Sequence, residues 1–520
     1  MKSRLKKSIS LILVTLMLAL SFVPFAFASN EEYPIVYLSG YGDTLYDANG
    51  NEISAKEVDK DYILNATKDV LKEMPANPNG DWSKYCDALY NSFSPIYDDI
   101  RLNSDGEPVD GGATQIYRTL STMPYKHSDY GCYDYHFKYD WRIDPYESAK
   151  ELSLYIDKVL AVTGKQKVTL VGRCLGACIV AAYLEMTPNV EEKVANLIFN
   201  IPSVGGIALT GALFSGNITL DSEALDRFLN DNTDRKPLLE DTALQSLLVS
   251  AISLARYCKV LGFTTETVMQ IYKRVYKNIV PRLALTSYAS FPSFWSMVGT
   301  DYYEEARDFI FAGKEDEYAG MIEKIDHFYY NVTARLPEMI KELDQKGINF
   351  SYIAKYNSAM VPLYEGSGDV QSDGISELYD LSGGATSAKL RETFSDSYIA
   401  AAKENGTDKY ISADKMVDAS TCLFPDRTWF VKDMPHGLTP DCIDRLTEYI
   451  SRGNDSVTVF SSEQYPQYMT YHPEDDSITP GVSSEQTKRE EPKDFFKALF
   501  DFLTRLFKYL KAIFEKGLGK

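Results

Sequence analysis

The residues best suited to chemistry stand in Gly172-Arg173-Cys174-Leu175-Gly176, preceded by the β-branched run Lys167 to Val171 and followed by the helical run Cys178 to Met186. A nucleophile on a tight strand-to-helix turn needs glycine two residues before and after it, because side chains there would collide with the turn. The turn offers the thiol of Cys174 to substrate. It also makes the backbone N–H of Leu175 an oxyanion donor at a helix N-terminus, whose partial positive charge favours thiolate over thiol. Cys178, one turn further on, reads as core. A thiol needs a base. Three of the five histidines follow Cys174; His327 falls in a helical stretch and His472 in a polar one. His436 lies in Pro435-His436-Gly437-Leu438, directly after the apolar run Thr428 to Lys432, so it is the candidate general base, while His127 and His136 read as structural. Two acids compete to orient the imidazole. Asp373 comes in a loop after the run Phe350 to Asn357, and Asp414 lies closer to His436 in sequence, although Tyr410 to Ala419 also reads as a hairpin turning at Ala413-Asp414-Lys415.

These residues need elements to carry them. Short apolar, β-branched runs at Pro34–Leu38, Lys167–Val171, Val194–Ile201, Phe350–Asn357 and Thr428–Lys432 alternate with stretches of helical spacing such as Tyr146–Val162, which predicts a mostly parallel sheet with helices on both faces. Between the third and fourth runs, roughly 220–347, the pattern is helical, including Ala243–Leu261 and Val268–Val280. A helical cap inserted there would roof the carboxyl ends of the strands, where ligands of open α/β sheets bind. The first residues combine the cations Lys2, Arg4, Lys6 and Lys7, an apolar run from Ile9 to Val23, and Ala26-Phe27-Ala28, the grammar of a secretory signal peptide over 1–28. The main domain is then expected over 29–460, a polar linker over 461–493, and an amphipathic helix with a basic bias over 494–520. That helix either docks back on the domain or attaches to a membrane surface or another chain.

Composition bounds the partners. With a formal charge of −20 over 520 residues, more negative once the cationic leader is removed, the chain repels phosphate backbones and is not expected to bind nucleic acid. Seven cysteines are scattered and odd in number, unlike a disulfide framework, and no Cys/His spacing suits a zinc site. No metal or cofactor is expected.

Together these features are those of the α/β-hydrolase fold, in which the acid and then the histidine follow the nucleophile. Within it, Tyr139-Asp140-Trp141-Arg142 with Asp144-Pro145, upstream of the Gly-x-Cys-x-Gly turn, resembles the lecithin-cholesterol acyltransferase-like lipases. Pro34 to Leu45 resembles that family's first strand and oxyanion loop, and Ser290-Phe291-Pro292-Ser293 its cap segment. Two departures stand out: Cys174 occupies the family's serine position, and Arg173 its usual histidine. The fold implies a second oxyanion donor from the backbone of Gly40 or Tyr41. Asp140, Trp141 and Arg142 themselves read as structural, a salt bridge and a core ring beside the site. The expected activity is acyl transfer from a lipid or other ester or thioester through Cys174, His436 and Asp373, by an exported protein, with the cap aromatics Phe291, Phe294, Trp295 and Tyr302-Tyr303 either facing an acyl chain or forming core. The rival expectation is an inactive hydrolase-fold binder of a lipid or partner. A Cys174 to His436 contact favours the enzyme; a thiol walled off or disulfide-bonded favours the binder.

Overall fold

Runs of β-branched and aromatic residues that end at turn-forming positions pair into one eight-stranded sheet: β1 (Ile35–Leu38), β2 (Tyr135–His136), β3 (Val168–Cys174), β4 (Val194–Pro202), β5 (Asn349–Tyr356), β6 (Thr428–Lys432), β7 (Tyr468–His472) and β8 (Ser477–Pro480). The computed structural model describes residues 32–56, most of 62–121, 133–219, 265–452 and 457–483, with Ala224, Arg227 and Phe228 besides. The strand order is β8-β7-β6-β5-β4-β3-β1-β2, and every neighbouring pair is parallel except β7 with β8. This is an α/β fold. The central strands are covered on both faces, which is why β4, Val-Ala-Asn-Leu-Ile-Phe-Asn-Ile-Pro, is buried along its whole length without polar alternation.

Alternate strand residues feed two cores. Val36, Leu38, Val168, Leu170, Leu197 and Phe199 face α1 (Pro145–Thr163), α2 (Leu175–Met186) and the cap, whereas Ile35, Val171, Ile198, Ile353 and Trp429 face α8 (Asp441–Arg452). Helix α1 starts where Asp144 accepts the N–H of Tyr146 and Pro145 takes the first turn, and it stops at Gly164 with φ 68°. Helix α2 carries no polar stripe and is buried on all sides from Leu175 to Leu184, as a helix apolar all round must be. After β4 comes α3 (Ala208–Ser215). Between it and β5 the described residues are helical: α4 (Thr265–Ala284), α5 (Tyr303–Phe311), α6 (Ala319–Asn331) and α7 (Leu336–Gln345).

The linker expected over 461–493 is wrong over its first half. Residues 468–472 extend the sheet beside β6, with Phe430, Val431 and Lys432 opposite Tyr468, Met469 and Thr470, and 477–480 turn back to pair with them. Three apolar side chains suffice here, because an outer strand packs less deeply than a central one: Met469 and Tyr471 join the α8 core and Tyr468 stacks on Phe430. Polar turns around these few residues hide them in a composition count. The domain therefore runs past 460 to at least 483. The leader over 1–28, Ala243–Leu261 of the cap, the rest of the linker and the 494–520 helix lie outside the described residues. Among the described residues no helix is long and apolar enough to cross a membrane.

Candidate active site

Cys174 closes β3 and caps α2 with φ 47° and ψ −122°, a conformation that strains any residue with a Cβ. The glycines around it are sterically obligatory. A Cβ on Gly172 would lie 2.9 Å from the Ala177 Cα, and one on Gly176 only 2.6 Å from the carbonyl oxygens of Leu38 and Ser39. Gly176 thus seats α2 directly on the loop that leaves β1. Gly40, in that loop, is so close that its Cβ would stand 3.1 Å from the Cys174 Cβ. The turn therefore has Leu175, first residue of α2, on one side and Gly40 on the other, the two expected sources of oxyanion donors. Tyr41 follows Gly40 at the surface, 46% exposed, its ring edge-on to Trp141 at 5.4 Å and to Phe294 at 5.7 Å.

Strain recurs along this edge of the sheet. Cys174 at the end of β3, Ile201 within the last turn of β4, Asn357 after β5 and Asp433 after β6 have φ of 47°, 46°, 72° and 65°. Four adjacent parallel strands bend their chains sharply at their carboxyl ends, and the loops they release carry Cys174, Ser203, Asp373 and His436. Asn357 Nδ2 donates to Asp433 Oδ1 at 2.7 Å, tying the exits of β5 and β6 together.

Three of the sequence-derived residues meet here. His436 Nε2 lies 3.3 Å from Cys174 Sγ, and its Nδ1 lies 2.6 Å from Asp373 Oδ2. The second oxygen of Asp373 accepts the N–H groups of Ile375 (3.0 Å) and Ser376 (2.9 Å), and its carbonyl accepts the His436 N–H at 2.9 Å. The acid and the base are therefore joined through both backbone and side chain. Burial alone would raise the Asp373 carboxyl, but the His436 imidazolium and the two N–H donors hold it below the usual carboxylate range. Burial also works against the imidazolium, yet Asp373 and the sulfur raise His436 to about 9. For Cys174, burial opposes ionisation, and the imidazolium, with help from the Ser203 hydroxyl and the Arg173 guanidinium, brings the thiol down to about 7. At neutral pH the pair favours thiolate and imidazolium.

Asp414 is not part of this group. It sits in the tight turn between Ile411 and Asp418, where Lys415 has φ 59°. Its carboxylate accepts from Ser412 Oγ (2.5 Å), Met416 N (3.1 Å) and Tyr356 OH (3.1 Å) and pairs with Lys432 Nζ at 2.9 Å. These bonds use up the carboxylate on the turn and on β5 and β6, so the hairpin reading of Tyr410 to Ala419 describes it. His472 lies on β7 against Thr479 (2.8 Å), and His327 packs on the Tyr146 ring.

Two residues that sequence reasoning passed over support the site. Lys355, fully buried in β5, donates from Nζ to the carbonyls of Leu438 (2.6 Å), Pro435 (3.3 Å) and His436 (3.4 Å), and Arg173 Nη2 donates to the His436 carbonyl at 3.2 Å. The loop bearing the base is thus gripped from β5 and from β3. Burial, with Arg173 nearby, lowers the Lys355 amine to about 7. The other is Ser203, whose Oγ lies 3.3 Å from Cys174 Sγ. Neither has a sequence signature: a lysine in a strand reads as solvent-facing, and a serine after a strand reads as a turn residue.

The Tyr139-Asp140-Trp141-Arg142 segment holds the loop beside the thiol. Tyr139 OH donates to the Ser39 carbonyl (2.7 Å) and Trp141 Nε1 to the Asp43 carbonyl (2.9 Å). Arg142 makes a two-pronged, buried bridge to Asp140 (2.9 and 2.7 Å) and reaches the Ile100 carbonyl at 2.9 Å. Ser293 Oγ of the cap segment closes on the Trp141 carbonyl at 2.5 Å. Phe291, Phe294, Trp295 and Tyr303 are buried in ring contacts, so of the two readings of these aromatics the core one describes those four, while Tyr302 is partly buried against the same core.

Cys86, Cys174, Cys178, Cys422 and Cys442 all carry free thiols. Cys178 is buried in α2, its Sγ 3.7 Å from the Ser296 carbonyl. Among the described residues, no three His, Cys, Asp or Glu side chains converge as metal ligands. A surface depression of about 500 Å³ on α5 and α6, lined by Arg307, Asp326 and His327 among others, touches none of Cys174, His436 and Asp373. The chemistry is marked by the hydrogen-bonded chain of side chains and not by that hollow. No protein-family model matches the sequence, and no curated protein is similar enough to it to serve as a relative.

Proposed function

We propose that this chain is an exported acyl-transfer enzyme of the α/β-hydrolase fold that cleaves ester or thioester bonds through a Cys174-His436-Asp373 triad. The observation that carries this reading is the unbroken chain from Sγ through the imidazole to a buried carboxylate, at 3.3 and 2.6 Å. A binder that had lost its chemistry has no physical need for such an arrangement, and the free thiol of Cys174 removes the disulfide that would favour one. The topology agrees: nucleophile after β3, acid after β5 and base after β6 keep the order nucleophile, acid, histidine.

In the proposed reaction the thiolate sulfur forms a bond to the substrate carbonyl carbon, and the carbonyl electron pair moves onto oxygen, which the backbone donors at Leu175 and in the Gly40-Tyr41 loop receive. The tetrahedral adduct collapses, the bond to the leaving group breaks, and the imidazolium gives it a proton. His436, now neutral, takes a proton from water or an alcohol, whose oxygen attacks the thioester and releases Cys174. Asp373 stays ionised and keeps Nδ1 protonated and Nε2 aimed at sulfur. Substrate class is proposed from the resemblance to lecithin-cholesterol acyltransferase-like lipases: a lipid or other ester.

The test is turnover of alkyl esters and alkyl thioesters of increasing chain length, whose leaving groups need a proton, by the reduced protein across pH. Because the thiol is lowered and the imidazole raised, acylation should rise as pH passes about 7 and decline above about 9, giving a broad plateau between. A rate that only climbs with pH, with no fall above the imidazole step, contradicts the ion-pair mechanism.

A further inference from the structure

Ser203 is clamped onto Cys174 twice. Its backbone N–H donates to the Cys174 carbonyl and its Oγ donates to Sγ, both at 3.3 Å. The chain reaches this position through the strained Ile201 and turns back at once, the Gly206 N–H bonding to the Ser203 carbonyl at 3.1 Å. The side chain is fully buried, and the sulfur is its one hydrogen-bond partner among the described residues. A buried hydroxyl must place its proton somewhere. A neutral thiol is a weak acceptor and a thiolate a strong one, so a hydroxyl with nowhere else to donate favours the ionised sulfur.

Resting on the acyl-transfer reading, we propose that Ser203 is a further catalytic residue, whose hydroxyl donates to the Cys174 sulfur and holds the nucleophile as thiolate in the resting enzyme. Ser203 keeps its proton throughout. When the sulfur bonds to the acyl carbon it loses its charge and the hydrogen bond weakens, so the stabilisation belongs to the free enzyme. The other ionisable groups facing the sulfur are His436 from the loop after β6, Arg173 beside it, Lys355 on β5, Tyr139 after β2 and Cys178 one turn on in α2.

The test is the pH dependence of Cys174 alkylation by iodoacetamide, read on the Cys174 peptide by mass spectrometry, in the wild type and in Ser203→Ala. Removing one donor to a charged sulfur should shift the midpoint up by about one pH unit, slowing the reaction below the midpoint about tenfold without lowering the plateau above it. Ser203→Thr keeps the hydroxyl and should keep the wild-type midpoint. Buried Cys178 reports folding, since it is labelled only if the domain opens. A wild-type midpoint near 7 that is unchanged in Ser203→Ala overturns the role of Ser203 and leaves the triad standing. A wild-type midpoint at the ordinary thiol value overturns both.

Discussion

Replacing His436 by alanine is expected to slow acylation of Cys174 at neutral pH by roughly a hundred- to ten-thousand-fold, the span associated with a positioned acid-base group. The imidazole carries several consequences at once. Its positive charge is the largest influence keeping the buried thiol ionised, so without it burial prevails and the thiol returns toward or above its ordinary value. In the proposed reaction it is also the proton source for the leaving group and the base for the second half-reaction. The loss should therefore appear in kcat/KM and in kcat, and high pH should restore only the attack by thiolate, not the proton delivery. Asp373 keeps its bonds to the Ile375 and Ser376 N–H groups, so the variant is expected to fold. Rapid-quench accumulation of the acyl-enzyme from an alkyl ester, whose leaving group needs a proton, checks the rate, and a variant that acylates at the wild-type rate assigns the base elsewhere.

Asp140→Ala is expected to have the largest effect on stability. The bridge to Arg142 is buried, with side-chain exposures of 3% and 1%, and removing the acid leaves a guanidinium with only backbone carbonyl support. Breaking one side of such a pair costs about 3–5 kcal/mol. The Thr114 hydroxyl, which donates to Asp140 at 3.0 Å, is orphaned as well. The double variant Asp140→Leu/Arg142→Met removes both charges and should recover most of that loss. Acylation should recover with it, because the loop carrying Gly40 is held by Tyr139 on the Ser39 carbonyl and Trp141 on the Asp43 carbonyl, which the double variant leaves in place. Urea denaturation reads the loss and the recovery. A single variant as stable as wild type shows that the buried pair does not hold its turn to Thr114 and Ile100.

Much of this site was legible because its chemistry is local. The Gly172 and Gly176 positions, the apolar run before Cys174 and the helical run after it are all written within the twenty residues from Lys167 to Met186, and His436 stands directly after a recognisable strand. The acid was not settled in the same way. Asp373 follows a plausible strand and Asp414 lies closer to His436 in sequence, and only the third dimension shows one carboxylate facing an imidazole and the other consumed by Tyr356, Ser412 and Lys432. Lys355 and Ser203 were invisible because their roles come from neighbours distant in sequence: the carbonyls of 435–438 and the sulfur of Cys174. The outer strands 468–472 and 477–480 were missed because Tyr468, Met469 and Tyr471 are too few to lift a polar stretch above a linker's composition. The salt bridge expected of Asp140 and Arg142 is present, and Tyr139, Trp141 and Arg142 add bonds to the Ser39, Asp43 and Ile100 carbonyls that the sequence does not show.

The most direct measurement of the central claim is the mass of the reduced protein after brief exposure to p-nitrophenyl acetate, followed by peptide mapping. The expected result is a single acetyl group on Cys174, released by neutral hydroxylamine as a thioester should be, absent in Cys174→Ala and slow to form in His436→Ala. Acetyl groups spread over lysines and other cysteines with Cys174 unmodified, or an adduct that survives Cys174→Ala unchanged, would contradict a nucleophilic Cys174.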